Sequence, residues 1–204
     1  MLFLSAVSPK ALELLTELQD LSLLEKFYLV GGTALALHLG HRISVDLDFF
    51  TSKEFDTSGF IEKIQEKYSI SLLAQAANSL TLDIDSVKTD FIRHNYPLIR
   101  PILFIDGIKL ASVEDIAAMK LNSTVNRGSK KDFFDVCELL KHYSLKQLLS
   151  FHSEKYDFSS QMVVLKSLVY FEDAEKEPDP VSTNSTSWQY VKVKLNEEVR
   201  KYSI

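Results

Sequence analysis

The chain has 204 residues, of which 46% are hydrophobic and 25% are charged, proportions that are typical of a soluble globular protein. A formal net charge of −5 excludes a general electrostatic attraction to nucleic acid or to an anionic membrane surface. The single cysteine excludes an intramolecular disulfide, and no segment approaches the roughly 18 apolar residues that a membrane helix needs, so we expect a cytoplasmic protein without a signal peptide.

Helix and strand signals alternate at the start of the chain. Ser8 followed by Pro9 predicts a helix start, because a hydroxyl cap and a proline at the first helical position favour one. Residues 27–30 form a short apolar run that ends at Gly31–Gly32, which indicates a buried strand entering a tight turn. Thr33 is then expected to cap a helix over residues 34–39.

Strand signals dominate the next part of the sequence. Strands are predicted over residues 45–50, 70–76, 80–84, 87–92, 102–105 and 108–110. A helix that opens at Asp56 or Ser58 separates the first two strands. Asp106–Gly107 lies between the last two strands and is a strong hairpin signal.

The pattern becomes helical from Ser112 onwards. Ser112 with Asp115 resembles a capping box, and Ser129 with Asp132 repeats that start signal. Residues 172–187 are polar and predict a loop before a closing helix. We therefore predict an α+β fold, in which a small mixed β-sheet core flanked by helices (residues 1–110) packs on a mainly helical lobe (residues 111–204).

Two acidic residues, Asp46 and Asp48, lie two apart on the predicted strand. Side chains at this spacing point to the same face, with their α-carbons roughly 6–7 Å apart, while Val45, Leu47 and Phe49 would pack on the other face. Two neighbouring carboxylates stay ionised where a cation balances them, and Mg²⁺ suits a site that also holds phosphate. An exposed polar face is the plainer alternative.

The glycine turn lies close to this strand in sequence. Main-chain N–H groups at Gly31, Gly32 and Thr33 can approach a phosphate, and the positive end of a helix favours the anion. An ordinary turn is the alternative for the glycines alone. His38 and His41 are expected to be surface or capping residues.

Three stretches of the sequence resemble one family. Residues 29–50 (LVGGTALALHLGHRISVDLDFF) strongly resemble the first motif of the AbiEii/AbiGii toxin-type nucleotidyltransferases, members of the DNA polymerase β-like superfamily. Residues 87–97 (VKTDFIRHNYP) look like the family's third-carboxylate strand, and residues 115–135 (DIAAMKLNSTVNRGSKKDFFD) are similar to its helical motif. The resemblance covers about residues 26–142.

The resemblance implies roles for the acidic residues. Asp46 and Asp48 would bind Mg²⁺ (or Mn²⁺) together with the triphosphate, and Asp90 would complete the metal site and help to deprotonate the acceptor. On spacing alone, Asp83 and Asp85 compete with Asp90 for that third role.

Lys120 is the most informative residue outside the carboxylates. It falls within the apolar arc of its predicted helix, so it must find an anionic partner, extend its ammonium group to solvent, or lose its charge. The family implies a nucleotide phosphate as the partner, and extension to solvent is the plainer alternative. The resemblance also implies a catalytic role for Asp132, for which a structural role at the helix start is the alternative, and nucleotide binding by Lys131. For Lys131, Arg127 and Asp135 two interpretations stay open, a position near the same cleft or a solvated surface charge.

The leading function is metal-dependent transfer of a nucleotide from an NTP to RNA or tRNA, by a toxin with a cognate antitoxin or a role in phage defence. The alternatives are a nucleotidyltransferase that acts on a small molecule, such as an aminoglycoside, and a non-catalytic nucleotide-binding module. The acidic sequence pI of about 5.6 favours the small-molecule alternative, because RNA enzymes commonly carry a basic surface. No membrane partner is expected.

Overall fold

The computed structural model describes residues 1–157 and 160–202. The chain forms two compact units. The first, called here the sheet unit, comprises Met1–Gly40, Ser44–Tyr96 and Ile102–Ala111; the second, the helical unit, comprises His41–Ile43, Pro97–Pro101 and the described chain from Ser112 onwards. Neither unit is continuous in sequence, and the division into domains 1–110 and 111–204 stays a prediction. None of the described helices is long and apolar enough to cross a membrane.

A seven-stranded mixed sheet forms the centre of the sheet unit. Its strands are β1 (Tyr28–Val30), β2 (Leu47–Thr51), β3 (Ile70–Ala76), β4 (Ser79–Ile84), β5 (Val87–Arg93), β6 (Leu103–Ile105) and β7 (Ile108–Leu110). They lie in the order β3-β4-β5-β2-β1-β7-β6. The β2–β5 and β1–β7 pairs are parallel, whereas the other neighbours are antiparallel. The predicted α+β class with a mixed sheet is confirmed, as is the hairpin at Asp106–Gly107.

Three helices belong to the same unit: α1 (Pro9–Gln19), α2 (Gly31–Leu39) and α3 (Thr57–Gln65). The Ser8 hydroxyl accepts a hydrogen bond from the Ala11 N–H, and Asp56 rather than Ser58 caps α3. The predicted cap at Thr33 is wrong, because α2 already begins at Gly31 and no side chain caps it. Thr33 therefore lies inside the helix.

Alternation along β2 separates the core from a second, more open face of the sheet. Leu47 and Phe49 are fully buried, and the Phe49 ring stacks on Phe91 of β5. Asp48 and Phe50 alternate with them and are half-buried. The expectation that Val45 packs in the core is wrong, since it precedes β2 and is 55% exposed.

Five helices make up the helical unit: α4 (Val113–Asn126), α5 (Lys130–Leu139), α6 (Leu145–Lys155), α7 (Gln161–Ser167) and α8 (Trp188–Tyr202). Helix α4 packs against α5, α6 and α7, and α8 packs against α5 and α6. The predicted closing helix is confirmed as far as Tyr202; its last two residues lie outside the described chain. The loop predicted over residues 172–187 contains one short 3₁₀ turn, Ala174–Lys176.

Candidate active site

Three polar side chains form a row across the open face of the sheet. Asp48 on β2 is in register with Asp90 on β5, and Asp90 is in register with Thr81 on β4. Residues in register across neighbouring strands point to the same face, as do residues two apart on one strand. The structure thus places two of the predicted acidic residues side by side, and Asp46 lies two residues before Asp48, just upstream of β2.

The Asp48 carboxylate lies directly against the glycine turn. A β-carbon built on Gly31 would lie 2.1 Å from Oδ2 of Asp48, a distance that no real side chain tolerates. Gly31 also has a φ of +70°, in the region that favours glycine. Glycine at this position therefore lets the start of α2 approach the Asp48 carboxylate closely. Such an approach suits a turn that binds phosphate.

Thr33 positions the strand that carries the acidic residues. Its hydroxyl donates a hydrogen bond to the main-chain carbonyl of Asp46 and lies 2.8 Å from the hydroxyl of Ser44. The side chain is 1% exposed, so these contacts fix the segment leading into β2 rather than facing solvent. The predicted nucleotide binding by Thr33, like that by Gly31 and Gly32, stays a prediction.

The donor set suits a metal ion that arrives with a phosphate ligand. No three His, Cys, Asp or Glu side chains of the described residues are close enough together to hold a metal by themselves. Asp90 accepts hydrogen bonds from the Thr81 hydroxyl at 2.5 Å and the Lys88 ammonium at 3.2 Å. Mg²⁺ typically uses one or two carboxylates and takes its remaining ligands from water and substrate phosphates, so the Asp46–Asp48 pair fits it.

Lys120 has two carboxylate partners in the interior of the helical unit. Its ammonium lies 2.9 Å from Oδ1 of Asp132 and 2.7 Å from Oδ2 of Asp135, and the side chains of all three residues are at most 4% exposed. Arg42 also binds Asp135 through two hydrogen bonds, of 2.7 and 2.9 Å. His41 completes this buried ion network with a 2.7 Å contact to the same carboxylate. The predicted need of Lys120 for an anionic partner is thus met by protein carboxylates.

The charges in the buried ion network stabilise one another. Burial favours neutral forms, yet Arg42 and Lys120 hold the pKa of Asp135 well below its usual range. Burial is likewise outweighed at Asp132, where Lys120 and Arg127 lower the pKa to about 2. The pKa of Lys120 is raised, because the two carboxylates outweigh its desolvation. All three groups therefore stay ionised at neutral pH.

The remaining predicted residues of the helical motif have different surroundings. The Arg127 guanidinium, although 59% exposed, donates two hydrogen bonds to Asp132, and the Ser129 hydroxyl donates a third, at 2.8 Å. These contacts favour the structural alternative for Asp132, while its catalytic role stays a prediction. Lys131 is exposed on the first turn of α5, and its role in nucleotide binding is likewise untested.

The expectation that His41 is a surface or capping residue is wrong. Its side chain is 3% exposed and binds Asp135, whereas His38 is half-buried and contacts the main-chain oxygen of Ala111 at 2.9 Å. The sequence pattern leaves the role of Asp135 open and gives no signal for Arg42. Only the fold brings them together, because 93 positions separate them.

Two solved structures share this fold, which is that of nucleotidyltransferases. JHP933 from Helicobacter pylori is 21% identical, with a TM-score of 0.59 over 96% of this chain and 92% of its own. MenT4, a nucleotidyltransferase toxin from Mycobacterium tuberculosis, is 14% identical, with a TM-score of 0.54 over 94% of this chain and 84% of its own. At these identities the likeness concerns the fold alone.

The sequence establishes the family. The chain belongs to the AbiEii nucleotidyl transferase toxin family of type IV toxin–antitoxin systems, whose model matches residues 13–97 and 66–201. The uncharacterized protein aq_aa25 of Aquifex aeolicus (strain VF5) is 37% identical over 196 residues, which cover 93% of this chain and 94% of that relative. The resemblance noted in the sequence is confirmed, and the chain is a nucleotidyltransferase.

Proposed function

We propose that this nucleotidyltransferase moves a nucleoside monophosphate from an NTP to a hydroxyl group at the end of an RNA, with tRNA as the first candidate. Membership of a toxin family supports a toxic activity that a cognate antitoxin restrains. The observation that carries the proposal is the contact of Gly31 with the Asp48 carboxylate, in the row that also contains Asp90. This arrangement offers a phosphate-binding turn and metal-binding carboxylates on one face of a sheet.

In the proposed reaction, the N-terminal turn of α2 binds the β- and γ-phosphates through main-chain N–H groups. The acceptor oxygen forms a bond to the α-phosphorus, the bond from this phosphorus to the oxygen that bridges to the β-phosphate breaks, and pyrophosphate leaves with the bonding electrons. The hydroxyl proton passes to the Asp90 carboxylate. Such transfers need positioning and charge neutralisation more than a protein nucleophile.

Asp46 and Asp48 are proposed to hold Mg²⁺ or Mn²⁺. When bound there, the ion supplies charge neutralisation at the phosphates and a template that orients them. The carboxylates have the right chemistry for this role, because hard divalent cations prefer oxygen ligands. Asp90 would add a third carboxylate to the metal site from the neighbouring strand β5.

Label transfer tests the proposal. The full chain is incubated with each α-labelled NTP, Mg²⁺ or Mn²⁺, and total RNA. We expect RNA labelling that falls at least about a hundredfold in Asp46→Ala and in Asp48→Asn, because each removes charge that stabilises the transition state. Asp83→Asn, on the same face of β4, is the matched variant and should retain activity, whereas Asp90→Asn should not.

The outcomes separate the proposal from its alternatives. Labelling of an aminoglycoside but not of RNA would identify a small-molecule enzyme. Tight NTP binding with no transfer to any acceptor would identify a binding module. Growth arrest on expression that Asp46→Ala relieves would support the toxin role, and arrest that persists in this variant would contradict it.

A further inference from the structure

The open face of the sheet continues from the carboxylates into a row of three aromatic side chains. Phe50 lies two residues beyond Asp48 on β2 and is half-buried on the same face. The His94 ring, which follows β5, stacks on Phe50 with a centroid distance of 4.6 Å and an interplanar angle of 20°. The Tyr96 ring lies next to His94, with centroids 4.9 Å apart and a tilt of 48° between the rings, and it is 52% exposed. These three residues are called here the aromatic row.

The aromatic row differs from the aromatic core on the other face. Phe27, Phe60 and Phe91 pack edge-on or tilted against one another, and all three are at most 4% exposed. Their burial stabilises the fold. Tyr96 contributes little in that way, because half of its surface faces solvent. The row ends in the exposed ring of Tyr96, which is tilted against His94, and an exposed aromatic ring offers a flat surface on which another ring can stack.

The strand register gives the row a defined place relative to the reaction. Val30 is in register with Asp48, and Tyr28 is in register with Phe50. Because Gly31 follows Val30, the glycine turn lies on one side of Asp48 along the strand and Phe50 on the other. On this face the order is therefore glycine turn, carboxylates, aromatic row.

The in-line geometry of nucleotidyl transfer indicates which substrate lies at the aromatic row. The attacking and leaving oxygens lie on opposite sides of the phosphorus. If the leaving pyrophosphate lies at the glycine turn, as the proposed function has it, the acceptor hydroxyl approaches from the end that carries Phe50. We infer that Phe50, His94 and Tyr96 form a stacking platform for the terminal base of a single-stranded RNA acceptor, an inference that rests on the proposed function.

The chemistry of the platform favours RNA over an aminoglycoside. Unpaired RNA bases are commonly bound by stacking on phenylalanine, tyrosine and histidine, and this stacking tolerates any base. An aminoglycoside has no aromatic ring to stack and carries several ammonium groups, for which carboxylates are the natural partners. A stacking platform also needs no large basic surface, which agrees with the net charge of −5.

Fluorescence measures the stacking without any turnover. A short single-stranded RNA carries 2-aminopurine, whose emission falls when it stacks, either as its 3′-terminal base or at an internal position. The full chain should quench the terminal probe and leave the internal probe largely unchanged. Tyr96→Ala should weaken binding of the terminal-probe RNA about tenfold, and Tyr96→Phe, which keeps the ring, should restore it.

The matched control is Phe104→Ala, which removes a 73% exposed aromatic ring from β6 at the far edge of the same sheet. This variant should bind the RNA as the unmodified chain does. Equal quenching of the terminal and internal probes, or unchanged binding in Tyr96→Ala, would overturn the inference.

Steady-state kinetics distinguish the acceptor from the nucleotide donor. In Tyr96→Ala we expect KM for RNA to rise about tenfold while KM for the NTP stays the same. A rise in KM for the NTP alone would place the donor base on the platform and overturn the assignment. RNA labelling that is identical in Tyr96→Ala would refute the platform and leave the proposed function intact. Quenching that depends on Tyr96 without any RNA labelling would refute the transfer reaction and keep the platform.

Discussion

The carboxylates of the open sheet face and those of the buried ion network look alike in the sequence but have opposite surroundings. Asp48 and Asp90 are half-buried: Asp48 lies against the glycine turn, and Asp90 binds the Thr81 hydroxyl and the exposed Lys88 ammonium. Asp132 and Asp135 are fully buried, and each binds at least two protein cations. The contrast shows that spacing in the sequence does not decide whether an acidic residue lies on a half-buried sheet face or in a fully buried ion network. The buried ion network has the form of a structural element.

Removal of Asp135 should produce the largest stability change. Asp135→Ala leaves Arg42 and Lys120 buried near each other with one carboxylate fewer, and we expect a loss of about 3–5 kcal/mol in the free energy of unfolding. Denaturant unfolding of the full chain measures it. Glu54→Ala is the matched control, because the Arg93–Glu54 distance is also 2.7 Å while the Glu54 side chain is 74% exposed.

The Glu54 variant should lose less than about 1 kcal/mol, since exposed ion pairs contribute little. Similar losses in the two variants would remove the distinction between the buried ion network and a surface pair. If Asp135→Ala remains as stable as the unmodified chain but no longer binds NTP, the network belongs to the catalytic machinery instead.

A side chain at Gly31 should affect activity more than stability. Gly31→Ala places a β-carbon in contact with Asp48, so the carboxylate must move, and we expect a loss of about a hundredfold in the rate of label transfer. Gly107→Ala is the matched control: it has a comparable φ of +81°, but nothing lies within 4 Å of the added carbon.

The control should lose about 1 kcal/mol of stability from backbone strain alone and keep its transfer activity. Thermal unfolding and label transfer are measured on both variants. An active Gly31→Ala enzyme would show that the position of Asp48 against the turn is not needed for catalysis.

His152 on α6 is a buried titratable residue that, unlike Asp132 and Asp135, has no charged partner within the described chain to compensate for its burial. It makes no hydrogen bond with the described residues. Burial lowers its pKa from 6.5 to about 4. Between pH 6.5 and about pH 4, His152 is therefore protonated in the unfolded chain but neutral in the folded chain. The free energy of unfolding consequently falls as the pH falls through this range. We expect a loss of about 2 kcal/mol between pH 7 and pH 5.

His152→Leu should remove that loss, and His142→Leu should retain it, because the His142 side chain is 47% exposed. Urea unfolding at the two pH values provides the measurement. The same pH dependence in His152→Leu would assign the acid sensitivity to another group. Asp132, with its pKa of about 2, contributes only at lower pH, where protonation of its carboxylate breaks the ion pairs.

Local signals predicted most of the secondary structure. The caps at Ser8, Asp56 and Ser112 mark helix starts, and the Asp106–Gly107 hairpin has positive φ at both residues, as its sequence favours. Helices α6 and α7 were missed. For α6 a signal was present, since Ser144 and Gln147 form a capping box.

The rest depended on contacts that no local pattern contains. Lys120 was correctly placed among apolar residues, but its partners Asp132 and Asp135 come from another helix and no local pattern predicts them. Its contact with a nucleotide phosphate stays a prediction. The aromatic row was missed for a similar reason. Phe50 and His94 meet only because β2 and β5 are neighbours in the sheet.

The parallel pairing of β2 with β5 has a consequence for how the enzyme comes to be active. Residues 52–86, which form α3, β3 and β4, must fold back before Asp90 can reach Asp48. Closing such a loop costs entropy before any contact is gained, so non-local pairings of this kind form slowly. A nascent chain that ends before β5 has the glycine turn and the first two acidic residues, but it lacks both the third carboxylate and the His94 and Tyr96 rings. The sheet face that carries the carboxylates and the aromatic row is thus complete only once β5 has paired with β2.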